Sequence, residues 1–246
     1  MSIVLYCNCY KQKTPYRIQQ NQKNLMLGSS QYTSKLKEEL ISEGYILDDI
    51  GDNISHLNKW FGQSCGLYWV YKNSNEDFVG MNTYRIFWND TAISNLDLSE
   101  NKLYVPSKFD VSTDDINDID YKNLENHFLT SHGKISYEML KTCIKNNNTL
   151  YTDFNTWNKQ KFLYPFSMFI ANKKIFDKIC SILFELTFDF FDVNRYTIYN
   201  LSDHYGQIRQ MDFICERILH LIFNNISYFI PNVDLIEIPI YQYKHL

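Results

Sequence analysis

The stretch from residue 48 to residue 88 constrains the fold more than any other part of the chain. It begins with an acidic turn that contains Gly51, continues with an aromatic-rich helical pattern, and closes with residues 77–88. Within this last part, residues 78–84 predict a buried central strand, and Gly80 indicates a close approach to its backbone. A turn and helix that lead directly into a buried strand are a unit of α/β folds, in which ligands bind at one edge of the sheet. We therefore predict an α/β fold whose functional groups gather at strand ends.

Hydrophobic periodicity predicts that strands and helices alternate in the first half of the chain. Residues 3–7 predict a buried strand, and the polar segment 8–24 that follows predicts a loop. Apolar and aromatic residues recur at helical spacing from residue 56 onward, so we expect a helix there, with Asn53 or Ser55 as its N-terminal cap. These elements agree with an α/β fold.

The second half of the chain has a mainly helical pattern. Residues 89–126 are polar and predict an excursion with one short strand, at residues 103–105. A β-rich run at residues 235–241 predicts the last strand. Between them lie two apolar stripes at helical spacing, which favour core-facing helices over cofactor-binding segments. One stripe consists of Ile175, Ile179, Ile182, Leu183, Leu186 and Phe190, and the other of Ile208, Met211, Cys215, Ile218 and Ile222.

Composition and charge argue against several classes of protein. The 246 residues are 45% hydrophobic and 16% aromatic, which is enough to build a core, and a net charge of −4 offers no general basic surface to nucleic acid. The six cysteines form no CxxC pair and have no zinc-ligand spacing, so we expect free thiols in a reducing compartment. Because we find no signal peptide and no run of roughly 18 apolar residues, we predict a cytoplasmic protein.

The edge of such a sheet suits a nucleotide-sugar ligand, and several side chains are candidates for holding one. Asp49 and Asp52 can accept hydrogen bonds from ribose hydroxyls or a base N–H, and capping of the following helix is an equal alternative. Arg85 follows the predicted strand, where a cation would meet a diphosphate, and the alternative is a surface ion pair. Tyr84 and Tyr6 can stack on a base or pack in the core.

The strand end that precedes Arg85 lacks the Asp-x-Asp pattern with which a divalent cation is often bound beside a nucleotide sugar. Asn82, Thr83 and Tyr84 stand there instead. We therefore assign no metal ligands, and the sequence does not favour dependence on Mn²⁺ or Mg²⁺.

Two carboxylates four residues apart are candidates for acid–base chemistry. Asp212 and Glu216 lie on one flank of the second apolar helix together with Arg209. Transfer with inversion requires a carboxylate to deprotonate the acceptor hydroxyl, and neighbouring charges tune the pKa of such a group. The alternative is a solvated ion-pair network. His132 and His204 have no second ligand at metal spacing, so we assign them no role.

Six segments spread over nearly the whole chain carry a further pattern. They are residues 51–55 (GDNIS), Asn58, residues 67–73 (LYWVYKN), residues 80–87 (GMNTYRIF), residues 166–170 (FSMFI) and residues 213–218 (FICERI). These segments resemble the GDNIS turn, YWxWKN helix end, GLxHYRRYF strand, FNMFI segment and FxSERL helix of bacterial glycosyltransferases that act in capsule and O-antigen synthesis. The first block is fairly specific.

Some positions depart from that family pattern. Thr83 stands where the family has His, Ile86 where it has the second Arg, Gln63 where it has Glu, and Ser167 where it has Asn. The His-Lys pair expected after the first strand is absent, and residues 8–9 lie near that place. These positions fall in the donor pocket that the resemblance implies, so they bear on the identity of the donor.

The resemblance implies a GT-A-like α/β fold with a mainly helical C-terminal part, in a single domain over residues 1–246. Residues 1–105 would form the nucleotide-sugar-binding half and residues 106–246 the acceptor-side half. It implies transfer of a hexose-type unit from a UDP-sugar to a growing capsular polysaccharide or lipopolysaccharide, and thus an oligosaccharide or lipid-linked glycan as acceptor. Peripheral contact with the inner membrane or with other capsule enzymes is a further expectation.

Our site predictions combine these two lines of reasoning. The residues expected to bind the donor are Tyr6, Asp49, Asp52, Asn53, Asn58, Asn82, Thr83, Tyr84 and Arg85. The catalytic candidates are Glu216, Asp212 and Arg85, and the acceptor-side candidates are Ser167, Met168 and Arg209. The alternative from another class of function is a catalytically silent module of the same fold that binds glycan or a partner enzyme.

Overall fold

A computed structural model describes residues 3–10, 15–113, 121–200 and 209–242 of the chain. The strands within these ranges are β1 (Ile3–Cys9), β2 (Gln22–Met26), β3 (Ile46–Leu47), β4 (Phe78–Thr83), β5 (Ile86–Trp88), β6 (Lys102–Pro106), β7 (Phe109–Asp110), β8 (Phe162–Leu163), β9 (Ile170–Asn172), β10 (Asp234–Ile238) and β11 (Ile240–Gln242). The helices are α1 (Ser34–Ser42), α2 (Asn58–Phe61), α3 (Ser64–Asn73), α4 (Asp90–Ser94), α5 (Leu124–Ile144), α6 (Asn148–Trp157), α7 (Lys173–Asn200), α8 (Gln210–Asn224) and α9 (Ile226–Phe229).

The main sheet is mixed, and its strands follow the order β3-β2-β1-β4-β9-β6-β10. Strands β1, β2, β3 and β4 are mutually parallel, whereas β9 runs antiparallel to both β4 and β6. Strands β5 and β11 pair with each other, and β5 continues from β4. The carboxyl ends of the first four strands therefore meet at one edge of the sheet.

Helices pack on both faces of the sheet. Cys7 on β1 belongs to an apolar cluster with Leu40 of α1, whereas the side chain of the next residue, Asn8, lies against Gly66 of α3. Because successive side chains of a strand point to opposite faces, α1 and α3 cover opposite sides of β1. This sandwich buries β1 and β4 almost completely, as the first and central strand predictions required.

The glycine in β4 marks a close approach of side chains to the backbone, as the sequence predicted. A Cβ on Gly80 would lie 2.6 Å from Ile170 Cγ1 and 2.8 Å from Leu5 Cδ2. Both neighbours come from the strands that flank β4. The centre of the sheet thus depends on the absence of a side chain at this position.

The predicted loop after the first strand is wrong in part. Strand β1 continues to Cys9, and β2 lies within and just beyond the segment 8–24. The first three residues of β2 are polar and its burial shows no alternation, so local pattern does not reveal it. Parallel pairing with β1 and β3 forms this strand, which is a tertiary contribution.

The predicted helix from residue 56 is interrupted, and its predicted caps are wrong. Gly62, with φ 47° and ψ −121°, separates α2 from α3. The Asn53 side chain accepts a hydrogen bond from the backbone N–H of Ser55 at 3.2 Å within the preceding turn. The cap of α3 comes instead from Asp212 on α8, which accepts from the backbone N–H of Ser64 at 3.1 Å.

The C-terminal part is mainly helical, as predicted. Both apolar stripes lie on helices, α7 and α8, whose buried residues face the core, and Ile208 lies outside the described residues. Residues 89–126 hold more structure than expected, because α4, β6, β7 and the start of α5 all fall there. The last predicted strand divides at Pro239 into β10 and β11. None of the helices in the described ranges is long and apolar enough to cross a membrane.

Candidate functional site

The candidate site is the sheet edge at which β1, β2, β3 and β4 end. The residues that stand there are Asn8, Gly28, Asp48 and the turn residues 84–85. Neighbouring strands are about 4.8 Å apart, so the row from β3 to β4 spans roughly 14 Å. The ends of these strands therefore bring residues that are distant in sequence to one edge of the sheet.

Asp48 is the centre of a buried hydrogen-bond cluster at this edge, which we name the Asp48 cluster. Its carboxylate accepts from the backbone N–H of Gly28 and of Ser29, both at 2.9 Å, from Ser29 Oγ at 2.8 Å and from Ser55 Oγ at 2.6 Å. Burial raises the pKa of Asp48 above its ordinary value, and these hydrogen bonds offset part of that effect. The cluster ties the loop after β2 to the loop after β3.

Asp49 lies beside the Asp48 cluster, at the edge where it was predicted. It accepts a hydrogen bond from Ser29 Oγ at 2.8 Å and forms an ion pair with Lys37 of α1. Burial opposes ionisation of Asp49, but the bonds from Lys37 and Ser29 outweigh it and lower the pKa of this carboxyl group. Asp49 therefore brings both a carboxylate and a neighbouring ammonium group to the edge.

Asp52 and Asn53 fasten the exposed turn to α3. The Asp52 carboxylate accepts from Tyr68 Oη at 3.1 Å, and its backbone exchanges two hydrogen bonds with the Asn73 side chain, at 3.1 Å and 2.8 Å. The Asn53 amide donates to the backbone oxygen of Gly51 at 2.8 Å. These contacts give Asp52 and Asn53 a structural role. That role is to hold the turn in place, whereas the structural alternative predicted from the sequence was capping of the following helix.

Tyr84 and Arg85 form the two-residue turn between β4 and β5. The backbone N–H of Tyr84 donates to the backbone oxygen of Asn8 at 3.0 Å, so the turn is fixed to the end of β1. The Arg85 guanidinium lies 5.7 Å from the centre of the Tyr84 ring, and both side chains are half-buried. The structure thus brings this aromatic ring and this cation together at the edge.

Three other residues predicted to bind the donor lie beneath or away from the edge. Asn82 and Thr83 are fully buried, and Thr83 Oγ1 accepts from the backbone N–H of Ile86. Tyr6 is buried against Trp69, and its hydroxyl donates to Glu76 at 2.9 Å, near the amino end of β4. Tyr6 therefore packs in the core, because it lies in the middle of β1, opposite Met81, and its hydroxyl reaches toward Glu76 and away from the edge.

Three buried asparagines near the edge, Asn8, Asn58 and Asn82, have side-chain carbonyl oxygens without a hydrogen-bond partner. Asn8 donates to the backbone oxygen of Gln63 at 3.1 Å, but its Oδ1 receives no hydrogen bond, and the same is true of Asn58 Oδ1. A Cβ on Gly28 would lie 2.7 Å from Asn58 Nδ2, and one on Gly66 would lie 2.0 Å from Asn8 Oδ1. Gly28 and Gly66 thus leave room for the side chains of Asn58 and Asn8. Asn58 was among the residues predicted to bind the donor, whereas Asn8 was not.

Asp212 connects α8 to the corner between α2 and α3. Its Oδ1 accepts from Ser64 N–H at 3.1 Å and from Ser64 Oγ at 2.9 Å. A Cβ on Gly62 would lie 2.3 Å from Asp212 Oδ2 and 3.2 Å from Arg209 Cδ, so this corner accepts no larger residue. Burial raises the pKa of Asp212 to about 6, although Arg209 acts in the opposite direction.

We expect Asp212→Asn to change how stability depends on pH. The pKa of Asp212 is raised in the folded state, so its contribution is present below about pH 4 and is lost as pH rises through about 6. Relative to wild type, the variant should gain about 3 kcal/mol in free energy of unfolding between pH 4 and pH 7. Urea unfolding at both pH values measures this, with the exposed Asp189→Asn as control. A relative loss over that range would contradict the assignment.

Glu216 lies one helical turn beyond Asp212 and holds a different segment. Its Oε1 accepts from the backbone N–H of Phe166 at 3.2 Å, and Phe166 has a left-handed backbone with φ 64°. This segment leads into β9 beside the end of β4, so Glu216 and the Tyr84–Arg85 turn belong to the same end of the sheet. Ser167 and Met168 are buried, and their side chains offer little surface to an acceptor.

The remaining candidate groups take no part in the site. His132 stacks on Phe213 at 3.9 Å, and His204 lies outside the described residues. All six cysteines fall within the described ranges and are buried free thiols. Across those ranges, no group of three His, Cys, Asp or Glu side chains is arranged to hold a metal ion. The expectation about metal dependence stays a prediction.

The described residues form a mixed sheet that is parallel in its first four strands, with helices on both faces and a mainly helical C-terminal part. A solved structure of the bifunctional glycosyltransferase WbbM in its apo form shares this fold, with a TM-score of 0.76 and 18% sequence identity. The match covers 100% of this chain and 46% of the WbbM chain, so the chain spans a little under half the length of that relative. The predicted α/β fold class is confirmed.

Residues 7–226 match the family described as a domain of unknown function, DUF4422. The chain belongs to this family. No curated protein matches the chain.

Proposed function

We propose that the chain is a glycosyltransferase that moves a sugar from a UDP-sugar onto a growing bacterial capsular polysaccharide or lipopolysaccharide. The observation that carries this proposal is that the Asp48 cluster, Asp49 and the Tyr84–Arg85 turn stand in one row along the same sheet edge. In this sheet β1 lies between β2 and β4, so the order of the strands reverses there, and ligands of α/β folds bind at such a point. Hydrogen-bonding loops and an adjacent cation at that edge suit a nucleoside diphosphate. The fold shared with WbbM supports the same reading.

The donor is proposed to lie along the row of strand ends. Tyr84 provides an aromatic face for the base, Arg85 faces the diphosphate, and Asp49 accepts from ribose hydroxyls. Asn58 Oδ1 and Asn8 Oδ1 are acceptors that lack a protein donor. A buried acceptor without a partner is costly, and a base N–H or a water molecule would satisfy it. Asp52 and Asn53 fix the turn, and we assign them no contact with the donor.

Glu216 is the proposed base for the acceptor hydroxyl, and Asp212 a positioning residue for the corner between α2 and α3. Glu216 is half-buried beside the segment that leads into β9, whereas Asp212 is buried and bonded to Ser64. A general base must reach the proton that it removes, which favours the more accessible of the two carboxylates. The acceptor itself is proposed to be an oligosaccharide or a lipid-linked glycan.

Binding and turnover of the donor test the proposal directly. Calorimetric titration with a panel of UDP-sugars, with and without Mn²⁺ or Mg²⁺, should show micromolar binding, and slow release of UDP without acceptor should accompany it. The metal-free arm decides whether the donor site needs a cation. Absence of nucleotide binding in every arm would overturn the proposal.

A second candidate is the catalytically silent module that binds glycan or a partner enzyme. Both aspartates that were predicted to bind the donor have partners within the protein, because Asp49 pairs with Lys37 and Asp52 accepts from Tyr68. This observation favours the second candidate. Glycan binding without any UDP-sugar binding in the same titrations would support this candidate.

We expect Glu216→Gln to reduce UDP release by about 100-fold, the order of magnitude that general base catalysis contributes. Glutamine keeps a side-chain oxygen that can accept from Phe166 N–H, so the segment before β9 should retain its conformation. The rate of UDP release and the urea midpoint are measured together. The exposed Glu138→Gln on α5 is the matched control, and an unaltered rate for Glu216→Gln would remove the assigned role.

A further inference from the structure

A groove of about 350 Å³ lies between the segment after Ser55 and the last turns of α7. We name it the α7 groove. Its lining includes Leu57 and Phe191, which are apolar, and His56, Asp192, Arg195 and Tyr199, which are polar. None of these residues belongs to the candidate donor site. The volume falls in the range of small-molecule sites.

The α7 groove lies next to the donor edge. Ser55 donates to Asp48 at 2.6 Å, so the segment that forms one wall of the groove begins in the Asp48 cluster. The residues that follow, His56 and Leu57, line the groove directly. The groove and the Asp48 cluster therefore share one continuous segment, which runs from Ser55 to Leu57.

The aromatic part of the groove is held in place by stacking. The Tyr199 ring lies 4.2 Å from the ring of Trp60 at an interplanar angle of 16°, and 5.9 Å from that of Phe191. Tyr199 is nonetheless 41% exposed, so part of a ring that is held in place remains accessible. The C–H faces of a pyranose ring pack well on such a surface, because aromatic rings combine apolar area with little conformational freedom.

The charged groups of the groove balance one another. Arg195 and Asp192 form an ion pair at 2.5 Å, so they present donors and acceptors side by side with no net charge. A phosphate or sulfate would meet a compensated cation here, whereas the vicinal hydroxyls of a sugar can both donate to the carboxylate and accept from the guanidinium. The charge pattern therefore favours a neutral polyhydroxylated ligand.

We propose that the α7 groove binds one neutral hexose unit of the acceptor glycan. Its role as an acceptor subsite rests on the proposed function, but hexose binding itself does not. Tyr199 supplies the stacking surface, and Arg195 with Asp192 binds the hydroxyl groups. The groove would hold the glycan beside the donor and so set which end of the acceptor is extended.

Saturation-transfer NMR tests the groove on the full chain without nucleotide. The probes are the methyl glycosides of galactose, glucose and mannose, and wild type should bind at least one of them. Tyr199→Ala should weaken that binding about tenfold or more, which corresponds to the loss of one stacked ring. Tyr199→Phe should retain it, because the ring is preserved.

The matched control is Tyr196→Ala, three residues earlier on the same helix. Tyr196 is 85% exposed and does not line the groove, so its loss should leave hexoside binding unchanged. Circular dichroism establishes that each variant is folded. The inference is overturned if wild type binds none of the three hexosides, or if Tyr199→Ala binds as well as Tyr196→Ala does.

Parallel titration with UDP-sugars separates this inference from the proposed function. Hexoside binding that depends on Tyr199, without UDP-sugar binding, would support the proposed hexose site and contradict the proposed transferase function. UDP-sugar binding without hexoside binding would support the proposed transferase function and contradict the proposed hexose site.

Discussion

Replacing Arg85 with alanine is expected to reduce turnover of a UDP-sugar by about 100-fold, with a smaller loss of UDP affinity. Negative charge grows on the diphosphate as the glycosidic bond breaks, so a cation at the strand edge stabilises the transition state more than the ground state. Removal of one such preorganised group typically costs two to three orders of magnitude. The rate of UDP release and the Kd for UDP measure the two effects separately.

The controls for Arg85 separate charge from folding. Arg85→Lys keeps the charge but loses the planar fork, so its rate should fall between those of wild type and Arg85→Ala. Lys174→Ala removes a cation on α7 whose side chain is 86% exposed. The rate of UDP release by this variant should equal that of wild type. If Arg85→Ala and Lys174→Ala release UDP equally fast, Arg85 does not face the diphosphate.

Replacing Asp48 with alanine is expected to lower the free energy of unfolding by about 4 kcal/mol. Asp48 is 1% exposed and accepts four hydrogen bonds. Its loss would leave the N–H groups of Gly28 and Ser29 and the Ser55 hydroxyl buried without this acceptor, whereas Ser29 Oγ would keep its bond to Asp49. Each unsatisfied buried donor costs of the order of 1–3 kcal/mol, and partial entry of water reduces the sum. Urea unfolding followed by circular dichroism measures the loss.

Two variants calibrate the effect of Asp48→Ala. Asp48→Asn keeps one oxygen for Ser29 and Ser55 but places an amide near the Gly28 N–H, so we expect an intermediate loss. Asp52→Ala removes an exposed carboxylate with one bond to Tyr68, and its change should stay within about 0.5 kcal/mol. Equal midpoints for Asp48→Ala and Asp52→Ala would show that the Asp48 cluster does not hold the loops together.

Much of the fold could be predicted because it depends on local pattern. Strand β4 begins with an apolar run, residues 78–81, and the α7 and α8 stripes repeat at helical spacing, so local pattern predicts their structure. Strand β2 was missed because its polar residues carry no periodic signal and only pairing with β1 makes it a strand.

The candidate site was predicted only in part, and the errors have a common cause. Tyr84 and Arg85 were predicted because they directly follow a recognisable strand. Asp48 was overlooked in favour of Asp49, although both follow β3, because nothing in the sequence shows which one turns inward to the backbone N–H groups of Gly28 and Ser29. The position of a residue directly after a strand shows that it lies at the sheet edge. Its hydrogen-bond partner depends on the tertiary structure.

The amino-acid sequence by itself determined the α/β class, the buried central strand with its glycine, the helical C-terminal part and the arginine that follows the central strand. Only the tertiary structure decided which carboxylates serve as internal acceptors. Asp212 caps α3 through Ser64 across a separation of 148 residues, and Asp48 joins two loops from neighbouring strands. Periodicity is a local property of the chain, but a hydrogen bond requires two groups at one distance and angle, and folding alone brings these groups together.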